Sequence, residues 1–133
     1  MVKKILFLIL IQINICWAQN KKCYCENNQL MNEATVDCDT IQLKNNYNLY
    51  WQFNCDKIWL TLEKPNKSKI TIDVLKANFY AYTYRLGYQL IEDYPNTILF
   101  KSGCLGTGPC KFTLINKKNG KKIKEYYEQY PKK

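Results

Sequence analysis

The sequence predicts an exported, all-β or mainly β domain. It reads as an antiparallel meander of hairpins (a sandwich, a small barrel or a propeller-blade-like sheet) behind an irregular cysteine-bearing arm. Three observations predict this. The chain opens with the pattern of a secretory leader. Removing that leader leaves an even number of cysteines. From Thr40 to Tyr127, short stretches of alternating apolar and polar residues are separated by turn residues.

The leader comes first in the chain. Lys3 and Lys4 precede the apolar run "ILFLILIQINIC", which ends at Cys16-Trp17-Ala18. That is the order of basic segment, apolar core and small residues before a cut, and it places cleavage after Ala18. The run is shorter than the roughly 20 residues a membrane helix needs, so no transmembrane helix is expected in the mature chain. A lipid anchor on Cys16 is the alternative, but Ile15 stands where that signal wants a small residue. The expected localisation is secreted or periplasmic. Residues 1–18 are then a signal peptide and 19–133 one domain: an arm (19–39), the strands (40–127) and a frayed tail (128–133). Cleavage takes Cys16 with it. Cys23, Cys25, Cys38, Cys55, Cys104 and Cys110 remain, and an even count in an exported chain reads as a disulfide framework. Cys23 and Cys25 are too close in sequence to pair with each other, and the partners of Cys23, Cys25, Cys38 and Cys55 stay open.

The strands follow in order. "TIQLK" leads through Asn45-Asn46 into "YNLYWQFN". "KIWLTLEK" alternates Ile58, Leu60 and Leu62 with Trp59, Thr61 and Glu63, the period of a half-buried strand. "PNKS" supplies a turn. "KITIDVL" then puts Ile70, Ile72 and Val74 on one face, completing a hairpin. Residues 75–83 fit a strand or a helix about equally. A strand over Gly87–Asp93 is clearer, and "YPN" turns it into "TILFKS". "KFTLIN" and "KKIKEYY" flank Asn119-Gly120, a strong hairpin signal.

Between "TILFKS" and "KFTLIN" lies "GCLGTGPC". A phosphate loop would need a following helix and a Gly-Lys-Ser/Thr ending. A zinc knuckle would need cysteines two to four apart, and the chain has no histidine. A redox pair would sit as Cys-x-x-Cys at a helix start. A staple remains. Cys104–Cys110 is predicted to close the loop between neighbouring strands, with Gly103, Gly106 and Gly108 free to take positive φ. In the chain-entropy model this short loop stabilises by roughly 2.4 kcal/mol.

The residue inventory narrows function without naming one. Without histidine there is no Ser–His or Cys–His nucleophile pair. The acid pairs Asp37/Asp39, Asp56/Glu63 and Glu92/Asp93 are the candidates for a carboxylate-dependent hydrolase, against the simpler reading of solvated turn residues. Aromatics are dense, as β packing favours. Tyr80, Tyr82 and Tyr84 are the exception, three tyrosines on one face of one strand and a candidate ligand face. After cleavage 18 Lys+Arg face 11 Asp+Glu; residues 111–133 alone hold eight lysines and two glutamates. Arg85 is the single arginine, so sequence-specific nucleic-acid recognition is not expected. The lysine-rich C-terminal strand reads as a protected sheet edge, with weak attraction to anionic surfaces second.

The segments "YWQFNCDKIWLTLE" and "ILFKSGCLGTGPCKFTLINKKNGKKI" resemble small exported proteins of Gram-negative bacteria that carry no assigned function. That resemblance implies an exported β domain and brings no catalytic residues. The expectation is therefore a non-enzymatic exported β domain, without cofactor or metal, binding a protein or glycan of the cell envelope or exterior. A small secreted carboxylate hydrolase and a secreted inhibitor or effector are the alternatives.

Overall fold

The structure, a computed structural model, describes residues 23, 25, 38–76, 78, 86–104 and 108–128. The expected leader, most of the arm, the tyrosines 80, 82 and 84, and the tail beyond Glu128 lie outside the described residues.

The described chain forms two four-stranded antiparallel sheets, each a simple meander. The first holds β1 (Ile41–Leu43), β2 (Tyr47–Phe53), β3 (Lys57–Glu63) and β4 (Lys69–Lys76) in that order. The second holds β5 (Gln89–Asp93), β6 (Thr97–Ser102), β7 (Lys111–Asn116) and β8 (Lys122–Tyr127). Their facing sides share one core. Leu43, Leu49, Leu60 and Leu62 of the first sheet pack with Ile98, Phe100 and Ile115 of the second. This is a sandwich, and each of these fully buried side chains contributes roughly 1.5–3 kcal/mol of transfer free energy. Tyr88 adds a stacked ring on Phe100, with centroids 5.1 Å apart.

Strand assignment follows the alternation, with one correction. The register of β3 with β4 slips at Leu60/Thr61: Thr61 faces Thr71, but Leu60 faces Asp73. The extra residue of this bulge swaps the faces beyond it. Val74, expected beside Ile70 and Ile72, is instead 54% exposed, and Asp73 is turned toward the second sheet. There its Oδ2 accepts the Tyr88 N–H at 3.2 Å. That bond diverts Tyr88 from sheet pairing, so β5 begins at Gln89 rather than at Gly87. At the ambiguous 75–83 stretch, residues 75 and 76 continue β4, and residues 79–85 lie outside the described residues.

The two ends of the sandwich are held differently. The turn 54–56, residues 103–104 and 108–110, and the six cysteines of the three disulfides lie at one end. Cys23 pairs with Cys38, Cys25 with Cys55 and Cys104 with Cys110, at Cα separations of 6.4, 5.0 and 4.5 Å. The last is the predicted staple, and it joins β6 to β7. Gly103 takes φ +67° there, and Gly106 lies outside the described residues. Cys25 is buried against Phe53 and Ile58 in a second small core. The other end carries the turns 44–46, 64–68, 94–96 and 117–121. Among these, Gly120 closes the β7–β8 hairpin at φ +70°, its N–H bonded to the Asn116 carbonyl at 2.8 Å.

Candidate functional site

At the turn end, Lys117 leaves β7 and points into the protein, where its side chain is 1% exposed. Its Nζ lies 2.5 Å from Asp93 Oδ1 and donates to the Lys44 carbonyl at 3.2 Å. The Tyr47 ring stands 5.5 Å from the same ammonium. Asp93 Oδ2 accepts the Lys44 N–H at 2.6 Å, and Asn45 Nδ2 donates to the Pro95 carbonyl at 2.9 Å. Lys44, Asn45 and Tyr47 belong to the first sheet's β1–β2 connection and strand, while Asp93, Pro95 and Lys117 belong to the second sheet. A desolvated ammonium needs this degree of pairing. The cluster is a latch between sheets, and its groups are occupied by one another.

The expected acid pairs do not converge. Asp56 and Glu63 sit at opposite ends of β3, roughly 23 Å apart by strand rise. Glu92 faces Leu99 on the outer side of β5, whereas Asp93 turns inward to the latch. Asp39 is exposed, and Asp37 lies outside the described residues. Glu63 instead accepts bonds from Asn48 Nδ2, Tyr50 OH and Lys67 Nζ at 3.4, 3.1 and 3.4 Å. Burial pushes its carboxyl up, but these donors together outweigh it and hold Glu63 below the ordinary value. Burial, then the bond to Glu63, pushes the Tyr50 phenol up to about 12. Around Lys111 the fold assembles acids that no sequence spacing suggests. Lys111 Nζ lies 3.6 Å from Glu125, and its charge also acts on Asp73. Asp73 is raised by burial, against the opposing pull of the Tyr88 and Val74 N–H groups. Glu125 is lowered, chiefly by the bond from Lys122. Each Asp73 oxygen already accepts one backbone N–H, from Val74 and from Tyr88, which suits it to bracing the bulge. Among the described residues no group of three or more Cys, Asp or Glu is placed to hold a metal ion.

The open surface is the outer face of the second sheet. Alternation turns Ile98, Phe100, Thr113 and Ile115 inward, so their neighbours face out. The ladders set Leu99 beside Leu114 beside Lys124, and Lys101 beside Phe112 beside Tyr126. Phe112 and Tyr126 stack with centroids 5.3 Å apart and planes within 10°. Lys124 Nζ stands 5.6 Å from the Tyr126 ring. A groove of about 370 Å³ runs between Tyr94 and Tyr126, floored by Leu99 and Leu114 and edged by Thr97 and Lys124. Both tyrosines are 43% exposed. β8 closes this side of the sheet as an edge strand with all six residues exposed, which agrees with its lysine-rich sequence. A second recess of about 290 Å³, more polar, lies beside Gln42, Asn46, Tyr47, Asn48, Pro65 and Lys67.

The described walls of the groove are Tyr94 and Tyr126, while Tyr80, Tyr82 and Tyr84, singled out by sequence, lie outside the described residues. Tyr94 and Tyr126 come from a turn and an edge strand 32 positions apart, and only the stacking order of β5–β8 brings them to one face. Compared with known proteins, the chain matches no family model, and no curated protein or solved structure is significantly similar to it. Three disulfides fit an oxidising, non-cytoplasmic compartment. Among the described residues no helix is long and apolar enough to cross a membrane.

Proposed function

We propose that this chain is an exported, disulfide-stapled binding module without catalytic activity, and that it holds a cell-envelope or extracellular partner on the outer face of its second sheet. The observation that carries this reading is the groove walled by two half-exposed tyrosines on an otherwise ordered sheet. Concave apolar surfaces with a few polar groups at the rim are the usual form of a ligand site. Tyrosine supplies rigid contact area with a hydrogen-bonding tip.

The test is an NMR titration of the mature, disulfide-intact protein with soluble envelope glycan fragments and, separately, with envelope protein extract. Shifts confined to Tyr94, Leu99, Leu114 and Tyr126, with the fragments chemically unchanged, support the module. Progressive cleavage of the fragments favours the hydrolase instead. Shifts that leave this face untouched reject the site.

A further inference from the structure

We infer that the groove takes a polyanionic glycan, a chain bearing carboxylates on successive sugar units; this rests on the binding-module reading above and names its ligand class. The charge pattern of the face carries the inference. Lys101 on β6 and Lys124 on β8 project outward on either side of the Phe112–Tyr126 stack. Two strand spacings across and two residues along separate their Cα atoms by roughly 12 Å. A single small anion does not span that separation, whereas a chain with repeated charges meets both ammonium groups at once. Between them lie Leu99 and Leu114 of the groove floor and the Phe112–Tyr126 stack, with Tyr94 on the β5–β6 turn as the groove's far wall, surfaces that suit the apolar faces of sugar rings.

Lys118 and Lys121, exposed on the adjoining turn, extend the same sign of charge past the end of the groove. Glu92 is the one acid among the outward-facing strand residues of this sheet; it sits on edge strand β5 directly beside Leu99 of the groove floor, three strand spacings from Lys124 on β8.

A membrane surface fits these observations less well. Insertion needs one apolar face. Here Tyr126 faces outward with Lys124, while Tyr127 falls on the opposite side of β8 with Glu125, opposite Lys111 and Thr113. An extended acidic peptide would use the free edge of β8 instead of the groove.

The experiment is calorimetric titration of the mature protein with an oligogalacturonate, an uncharged cello-oligosaccharide of equal length, and phosphatidylglycerol vesicles. It is repeated with the double variant Lys101→Gln/Lys124→Gln. Both lysines lie on the outer face, and an unchanged thermal unfolding profile confirms that the variant is folded. The expected result is binding of the oligogalacturonate alone, weakened about tenfold or more in the double variant, as for the loss of two charged contacts. Binding should also weaken as salt rises from about 0.1 M to about 1 M, where the Debye length falls from about 10 Å to about 3 Å. Equal binding of the uncharged oligosaccharide, or an unchanged affinity in the variant, overturns the anionic assignment and leaves the module reading standing. Binding to vesicles without binding to the soluble uronate overturns the glycan in favour of lipid. Silence of all three ligands overturns the inference, while the broader reading answers to its own envelope titration.

Discussion

Replacing Asp93 with alanine is expected to remove a large part of this domain's stability. The residue holds two partners from different parts of the fold, the Lys117 ammonium through Oδ1 and the Lys44 N–H through Oδ2. Lys117 is 1% exposed, so Asp93→Ala strands a buried ammonium with the Lys44 carbonyl and the Tyr47 ring as its remaining neighbours. Breaking a buried pair from one side costs about 3–5 kcal/mol. A domain of this size has about 5–15 kcal/mol in all. Lys117→Met fills similar volume and removes the charge that demands pairing. The Asp93 side chain, 18% exposed, still accepts the Lys44 N–H and reaches water. Its loss is expected near 1–3 kcal/mol. The double variant Asp93→Ala/Lys117→Met leaves no buried charge, so its cost should fall short of the two single costs added together by at least about 1 kcal/mol. Urea unfolding with the disulfides intact, followed by tryptophan fluorescence, measures all three at constant slope. A loss below about 1 kcal/mol for Asp93→Ala, or strict additivity within about 0.5 kcal/mol, would show that the latch is not a coupled buried pair.

Other consequences follow from the same structure. Gly120→Ala should destabilise by more than about 1 kcal/mol, because φ is +70° and the new Cβ would meet Ile70 Cγ2 at 2.5 Å; a thermal midpoint equal to that of the parent protein would contradict this. Replacing Cys25 and Cys55 together by alanine opens a 30-residue separation and should cost about 3–4 kcal/mol in the chain-entropy model, with peptide mapping of the parent protein confirming the three pairings. Carboxyl NMR titration should place Asp73 above 3.8 and Glu63 below 4.5. The two have opposite linkage: the Glu63 contribution to stability is present above 4.5 and lost as pH falls through its lowered value, whereas the Asp73 contribution is complete below 3.8 and lost as pH rises through its raised value. Tyr50 should ionise near 12, later than an ordinary tyrosine at 10.0, and absorbance titration that finds no such late phenol would remove the buried Tyr50–Glu63 bond.

Reading along the chain was enough for much of what near neighbours set. The alternation in "KIWLTLEK" and "TILFKS" marks β3 and β6 because opposite faces of a strand meet different surroundings. The Cys104–Cys110 pair follows from two cysteines bracketing one turn between adjoining strands. Properties that depend on what lies opposite were not legible. Lys117 sits in the turn sequence "KKNG", and no local pattern distinguishes it from Lys118; stacking of the two meanders buries one and exposes the other. Likewise a single bulged residue in β4, invisible in composition, turned Asp73 inward and Val74 out. Tyr94 and Tyr126 form groove walls because strand order, a long-range choice of hydrogen-bond partners, sets them on one face. Periodicity is a property of neighbouring residues, whereas burial and convergence belong to pairs far apart in the chain, and only packing brings those pairs together.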